Sequence, residues 1–199
     1  MPQMTLTLDL AGRAVLVAGA GRVAGRKVRV LLEAGAALRV VAPEATEELR
    51  AQAAEGRIIW ERRDYCPSDL AGAFLVVAAT ADQELNRRIA DDARSLGIPV
   101  NVAAPPEAGD SRFPALLRRG DLEIAVSSSG RCPAFAAAVR DLLSEILDER
   151  YAAALDSVAS LREKLLTEGK AGPYNTQVLR DHIEQLIREL REPRKEPAP

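Results

Sequence analysis

Histidine occurs once in the 199 residues, as His182, and cysteine twice, as Cys66 and Cys132. One imidazole cannot supply a metal centre built from several, and two thiols far apart in the chain form no C-x-x-C pair. A reducing cytoplasm is the expected compartment. Charge of either sign is not in excess: a net charge of -2 excludes a general attraction to nucleic acid or to an anionic membrane. No segment approaches the roughly 18 consecutive apolar residues of a membrane span. Residues 1–6 also lack a basic region followed by a long apolar stretch, so neither export nor insertion is expected. No internal repeat is visible.

What is present is an ordinary globular composition, 47% hydrophobic and 28% charged, long enough for one α/β domain with a smaller appendage. The informative stretch begins at Ala14-Val15-Leu16-Val17-Ala18, an apolar run that delivers the chain to Gly19-Ala20-Gly21-Arg22-Val23-Ala24. That string fits the G-x-G-x-x-G/A dinucleotide fingerprint. Gly19 permits the tight turn, Gly21 lets a pyrophosphate approach bare backbone, and Ala24 lets the helix lie close to the strand. The first amides of the helix and its dipole then favour an anion without any basic side chain, although Arg22 is at hand. Glycine turns also join strands to helices for purely structural reasons. The position inside a βαβ pattern near the amino terminus favours the dinucleotide.

Alternation over residues 5–10 predicts an edge strand, and the spacing over 23–34 predicts a helix with Val28, Leu31 and Leu32 on one side and Arg26, Lys27 and Arg29 elsewhere. Further strands are expected at 38–42, 58–61, 74–80 and 97–102, the one at 74–80 a continuous apolar run of the kind parallel strands show when covered on both faces. Glu44 lies at the spacing of an acid that contacts the adenosine ribose. It equally suits the first turn of a helix over 45–55. No basic residue follows Val41 directly, which favours NAD over NADP. Thr80 is expected to cap the next helix, with Asn86 one turn in. The small, polar, proline-containing loop 103–112 belongs at the reacting end of a bound nicotinamide, because ligands of open α/β sheets sit outside the carboxyl ends of the strands. The pattern changes at Phe113. A strand at 122–127, a turn and an amphipathic helix over 134–147 leave an edge and an apolar face for a symmetric partner. Helical stripes follow over 151–190, broken at 169–175, and a charged, proline-rich tail over 191–199 is expected to be disordered. The expected organisation is a Rossmann-like α/β domain over 1–112, a small α+β dimerisation region over 113–150 and a helical domain over 151–190.

This order resembles the precorrin-2 dehydrogenase family, which is also the amino-terminal dehydrogenase and ferrochelatase part of siroheme synthases. The resemblance is carried by Val17 to Lys27, by Val41-Ala42-Pro43-Glu44, by Val77-Ala78-Ala79-Thr80 with Asn86, and by Asn101-Val102. It continues through Phe113-Pro114-Ala115 and Ile124-Ala125-Val126-Ser127-Ser128-Ser129-Gly130, followed by Pro133. It implies NAD-dependent oxidation of precorrin-2 to sirohydrochlorin by a homodimer, with cofactor contacts at Gly19, Gly21, Arg22, Val23, Pro43, Glu44 and Thr80. Some members also insert ferrous iron, and in fused enzymes a methyltransferase follows, which is not expected of this chain. The aspartate that many members carry after Asn-Val, associated with both activities, is Ala104 here. Its absence is expected to weaken iron insertion, which must strip protons from ring nitrogens, more than hydride transfer, which is chiefly positioning. Asp110 and Glu107 are alternative proton acceptors in the same loop, or simply solvated carboxylates. Arg112, Arg118, Arg119 and Arg131 suit a substrate bearing many carboxylates, with surface ion pairs expected for at least two of the four. Ser128 matches a serine of the tetrapyrrole site and equally suits a cap. His182, Cys66 and Cys132 are expected to be ordinary surface or packing residues. Two other functions stay open: a bifunctional dehydrogenase and ferrochelatase, and a non-catalytic protein that binds NAD or a tetrapyrrole. A separate chelatase is a candidate partner.

Overall fold

The computed structural model describes residues 4–167 and 173–192, and the chain divides into two units, Met1–Phe113 and Pro114–Pro199. The first holds five parallel strands in the order β3-β2-β1-β4-β5: β1 Ala14–Ala18, β2 Ala37–Val41, β3 Ile59–Glu61, β4 Leu75–Ala78 and β5 Val100–Val102. Between them run α1 Arg22–Glu33, α2 Glu47–Ala54 and α3 Gln83–Ser95. Period-two alternation divides the core. Val15, Val17, Leu38, Val40 and Val77 face Ala24, Val28 and Leu31 of α1 and Leu49 of α2, while Leu16, Ala18, Val41, Val76, Val100 and Val102 face Ile89, Ala90 and Ala93 of α3. Each buried Val or Leu contributes about 1.5–3 kcal/mol, so the central strands β1 and β4, buried on both faces, anchor the sheet. A glycine with φ +74, Gly35, ends the α1 segment.

The amino-terminal segment departs from its alternation. Residues 4–10 form no strand and pair with neither edge of the sheet, β3 or β5. Only Leu10 is buried, and the turn after it is closed by Arg13 N donating to Leu10 O at 2.9 Å and Gly12 N donating to Gly35 O at 2.8 Å.

In the second unit β6 Ala115–Arg119 pairs antiparallel with β7 Leu122–Val126 through a turn at Gly120, φ +55. In the sequence β6 shows only as a change of pattern, since Leu-Leu-Arg-Arg carries no clean alternation. Helices α4 Pro133–Ile146, α5 Arg150–Thr167 and α6 Pro173–Arg191 follow. Arginines close two helix ends. Arg119 donates to Leu147 O (2.7 Å) and Ser144 O (3.1 Å) after α4, and Arg150 donates to Glu192 O (3.2 Å) and Leu190 O (3.4 Å) after α6. His182 Nε2 meets Ser157 Oγ at 2.9 Å, joining α6 to α5. The break expected at 169–175 falls largely outside the described residues, as does the tail from 193 onward.

One polar knot crosses the first unit. Asp69, 2% exposed, accepts from Arg63 (2.6 and 2.9 Å), from Arg39 (3.4 Å) and from the Cys66 amide (2.9 Å), while Glu61 pairs with both arginines. The Arg63 guanidinium holds the Asp69 carboxyl down at about 2 against the opposing effect of burial. A carboxyl depressed in the folded state stabilises fully above its ordinary value and loses that contribution as pH falls through the depressed one. A carboxyl held this far below its ordinary value contributes about 2–3 kcal/mol. Asp69→Asn is therefore expected to lower the unfolding free energy by about 2 kcal/mol at neutral pH and to flatten its acid dependence below about pH 4. Urea unfolding from pH 7 to 2 measures this, and an unchanged acid limb in the variant would contradict it.

Candidate functional site

The site is built where three strands end. After β1 the backbone doubles back at Gly19, φ +100, whose amide donates to Val41 O at 2.9 Å. A Cβ there would lie 2.6 Å from Ala79 C and 2.8 Å from Thr80 N, so backbone lies against backbone and only glycine fits. Gly21 is different. Its φ of -81 suits any residue and a Cβ would meet nothing within 4 Å, so what its bareness leaves is open space in front of α1. The first helical bond runs from Gly25 N to Gly21 O at 2.9 Å. The amides of Arg22, Val23 and Ala24 precede it, Gly21 supplies no side-chain cap, and the first turn carries no acid. This is the electrostatics of an anion site, and a pyrophosphate fits it.

The loop after β4 is held by Asn86, which is fully buried. Its Oδ1 accepts from Thr80 N (3.1 Å) and from the Thr80 hydroxyl (2.8 Å), while its Nδ2 donates to Thr80 O (3.2 Å) and to Ala104 O (2.8 Å). One side chain thus ties the loops after β4 and β5 together. Thr80 is not the helix cap expected of it. Asp82 is, accepting from Glu84 N and Leu85 N at 2.9 and 3.2 Å, because a carboxylate two residues closer to α3 reaches both free amides.

Glu44 stays exposed in the loop after β2, and α2 begins only at Glu47, so its first-turn acids are Glu47 and Glu48 rather than Glu44. Around it, Trp60 Nε1 donates to Ala42 O at 3.0 Å and Arg62 Nε to Pro43 O at 3.3 Å. Ala104 lies in the loop after β5, with a cis bond to Pro105. Asp110 Oδ1 accepts from Val100 N at 2.8 Å, and Asp110 N donates to Val100 O at 3.0 Å, so the carboxylate clamps the returning loop to the flank of β5. Glu107 is exposed. Asn101, buried to 4% exposure, donates to Ser111 O at 2.8 Å.

Lys27 falls on the polar side of α1 by its spacing, yet it is half-buried with Nζ 4.6 Å from the centroid of the Phe113 ring. Burial, with Arg26 adding repulsion, lowers its ammonium to about 8. Its signal in the sequence is its place one residue before Val28, at the border of the apolar stripe.

In the second unit Ser128 Oγ accepts from Cys132 N at 3.1 Å, closing the turn before α4 in which Ser129 has φ +54 and Gly130 φ +79. Arg118 pairs with Glu123 at 2.7 Å and Arg119 with Glu149 at 3.4 Å, two ion pairs that leave Arg112 and Arg131 as candidates for substrate. Arg131 is exposed, and the Nε of Arg112 is buried without a partner among the described residues.

The family model described as "Putative NAD(P)-binding" matches residues 6–115. The siroheme synthase of Neisseria meningitidis serogroup C (strain 053442) is 44% identical over 139 residues, 70% of this chain and 29% of that protein. That of Stutzerimonas stutzeri (strain A1501) is 37% identical over 189 residues, 94% of this chain and 39% of that protein. The chain thus spans about a third of the length of these curated relatives. Among solved structures, SirC, a precorrin-2 dehydrogenase, superposes with a TM-score of 0.69 at 30% identity, covering 94% of this chain and 100% of that one. No helix among the described residues is long and apolar enough to cross a membrane. With bare amides at the start of α1, a fingerprint turn that admits only glycine, and a match that covers the whole of SirC, the chain belongs to the NAD(P)-binding precorrin-2 dehydrogenase family.

Proposed function

We propose that this chain oxidises precorrin-2 to sirohydrochlorin with NAD as the hydride acceptor. The carrying observation is the uncapped start of α1, open in front of Gly21, on a chain of which 94% matches SirC. The amides of Arg22, Val23 and Ala24 hold the pyrophosphate, Glu44 receives the ribose hydroxyls beside Pro43, and the loops joined by Asn86 bring Thr80 and Ala104 to the nicotinamide side. When bound, NAD supplies the carbon that accepts hydride. The chain supplies position. Ser128, Arg112 and Arg131 take the substrate's carboxylates, the last two through guanidinium forks.

No carboxylate stands at position 104, and Asp110 is engaged as a clamp on β5. The dehydrogenase reading therefore asks little of a protein base, whereas iron insertion asks much. Metal insertion accordingly falls to a separate chelatase. Phe135, Leu142 and Ile146, exposed along α4, support a homodimer closed over that stripe. Free thiols at Cys66 and Cys132 support a cytoplasmic setting.

Four outcomes follow from this arrangement. Purified protein given precorrin-2 and NAD forms sirohydrochlorin, followed by absorbance. Gly21→Val keeps its stability yet weakens NAD binding about tenfold or more, whereas Gly19→Ala loses about 1–3 kcal/mol of stability outright. Equal NAD affinity in Gly21→Val and the parent would reject the amide site. Asp110→Asn keeps its rate, since an amide oxygen still accepts from Val100 N, while Asp110→Ala costs about 1–2 kcal/mol of stability. A rate collapse in the Asn variant at unchanged stability would make Asp110 the base after all. Ala104→Asp is expected to raise ferrous insertion into sirohydrochlorin while oxidation persists, and no gain would show that position 104 does not limit chelation.

A further inference from the structure

Three arginines lie on or beside β2 and β3, and two of them are held in ion pairs. Arg39 and Arg63 are bound to Asp69 and Glu61 inside the polar knot. Arg62 is not. Its register follows Glu61, which pairs with Val41, so it stands beside the Ala42–Pro43 turn from which Glu44 projects. Period two puts it on the same side of the strand as Trp60, away from the knot. Its Nε donates to Pro43 O at 3.3 Å, which tethers the side chain. Among the described residues its two terminal nitrogens have no protein partner, and Glu44 forms no ion pair with Arg62 or with any other residue.

We propose that Glu44 and Arg62 together read the 2′ position of the cofactor's adenosine ribose. Glu44 accepts from the free hydroxyl of NAD and repels a 2′-phosphate, and Arg62, tethered to Pro43 O, is the cation that would receive that phosphate once the repulsion is removed. The physical basis is general: an acid after the second strand of a dinucleotide fold selects the hydroxyl, and an arginine nearby accommodates the phosphate. The tether matters because a guanidinium held through Nε still presents two parallel donors, so a phosphate gains a fork without the full cost of ordering the chain. Discrimination is then a repulsion built over a latent attraction rather than the absence of an NADP site. The sequence hid this, since the cation is absent after Val41 and arrives instead from the neighbouring strand.

This inference rests on the dinucleotide reading above. The test is equilibrium titration of the full chain with NAD and, separately, NADP, read by the fluorescence of the single tryptophan, Trp60, which bonds to Ala42 O in the same turn. The parent protein is expected to favour NAD by about tenfold or more, and Glu44→Gln to tighten NADP by about tenfold, each decade being one well-made charged contact. Adding Arg62→Gln to Glu44→Gln is expected to remove that gain, and Arg62→Lys to keep part of it. Because the fork is electrostatic, NADP affinity of Glu44→Gln should also fall more steeply with salt than that of the double variant. Equal NADP affinity and equal salt slope in the single and double variants, with NAD still bound, would overturn the role of Arg62 alone. Failure of every variant to bind either dinucleotide would overturn the underlying reading and this inference with it.

Discussion

The first unit is organised by a contact that leaves no room for a side chain: the turn at Gly19 lies against the backbone of Ala79 and Thr80. Because β1 and β4 are adjacent parallel strands, their ends are brought level by the ladder that pairs Ala18 with Ala78. The loops leaving them must then diverge, one into α1 and one into α3, at the point where strand order reverses. Crevices in open α/β sheets form there for this reason. Gly19 lets the divergence begin without a bulky spacer, so the open amides of α1 sit beside the loop that Asn86 holds.

Asn86 performs the complementary task. A fully buried amide group with each of its polar atoms bonded is a stabilising choice only if its partners are fixed, since an unsatisfied one would cost about 1–3 kcal/mol. Here the partners are backbone groups of two different loops, after β4 and after β5. The same residue therefore sets the conformation of Thr80 and the path by which the chain leaves β5 through Ala104. Further along, Gly109 lies close enough to Val100 and Val102 that a Cβ would stand 2.9 Å from Val100 O, and Asp110 fastens the returning strand-like segment. The loop that the sequence marked as the reacting edge is thus bound at both of its ends.

Much of this was legible in the order of residues. The continuous apolar runs at 14–18 and 75–78 announce strands covered on both faces, and the glycine spacing after the first announces the turn, because both are local consequences of burial and sterics. What failed to show was pairing at a distance. Alternation at residues 5–10 has the form of a strand, but no local signal says that the segment pairs with neither edge of the sheet, β3 or β5. Thr80 and Asp82 both carry capping side chains, and only the actual path of the chain into α3 decides for Asp82. Lys27 lies beside its apolar stripe by one residue, yet its ammonium is drawn over Phe113, a residue far along the chain. The tether from Arg62 to Pro43 joins neighbouring strands and has no sequence signature. In the second unit, ion pairs are expected for at least two of the four arginines, but nothing local says which two, and they are Arg118 and Arg119. In the fold they bind Glu123, Glu149 and the carbonyls that end α4.

The central claim is that three backbone amides, not a basic side chain, receive the cofactor's phosphates. Amide resonances of uniformly nitrogen-15-labelled protein, followed by NMR during titration with NAD, test it directly. The account predicts that Arg22, Val23 and Ala24 show the largest shifts in the chain, saturating together with a single dissociation constant. Saturable binding that leaves those three resonances in place while moving others would contradict it.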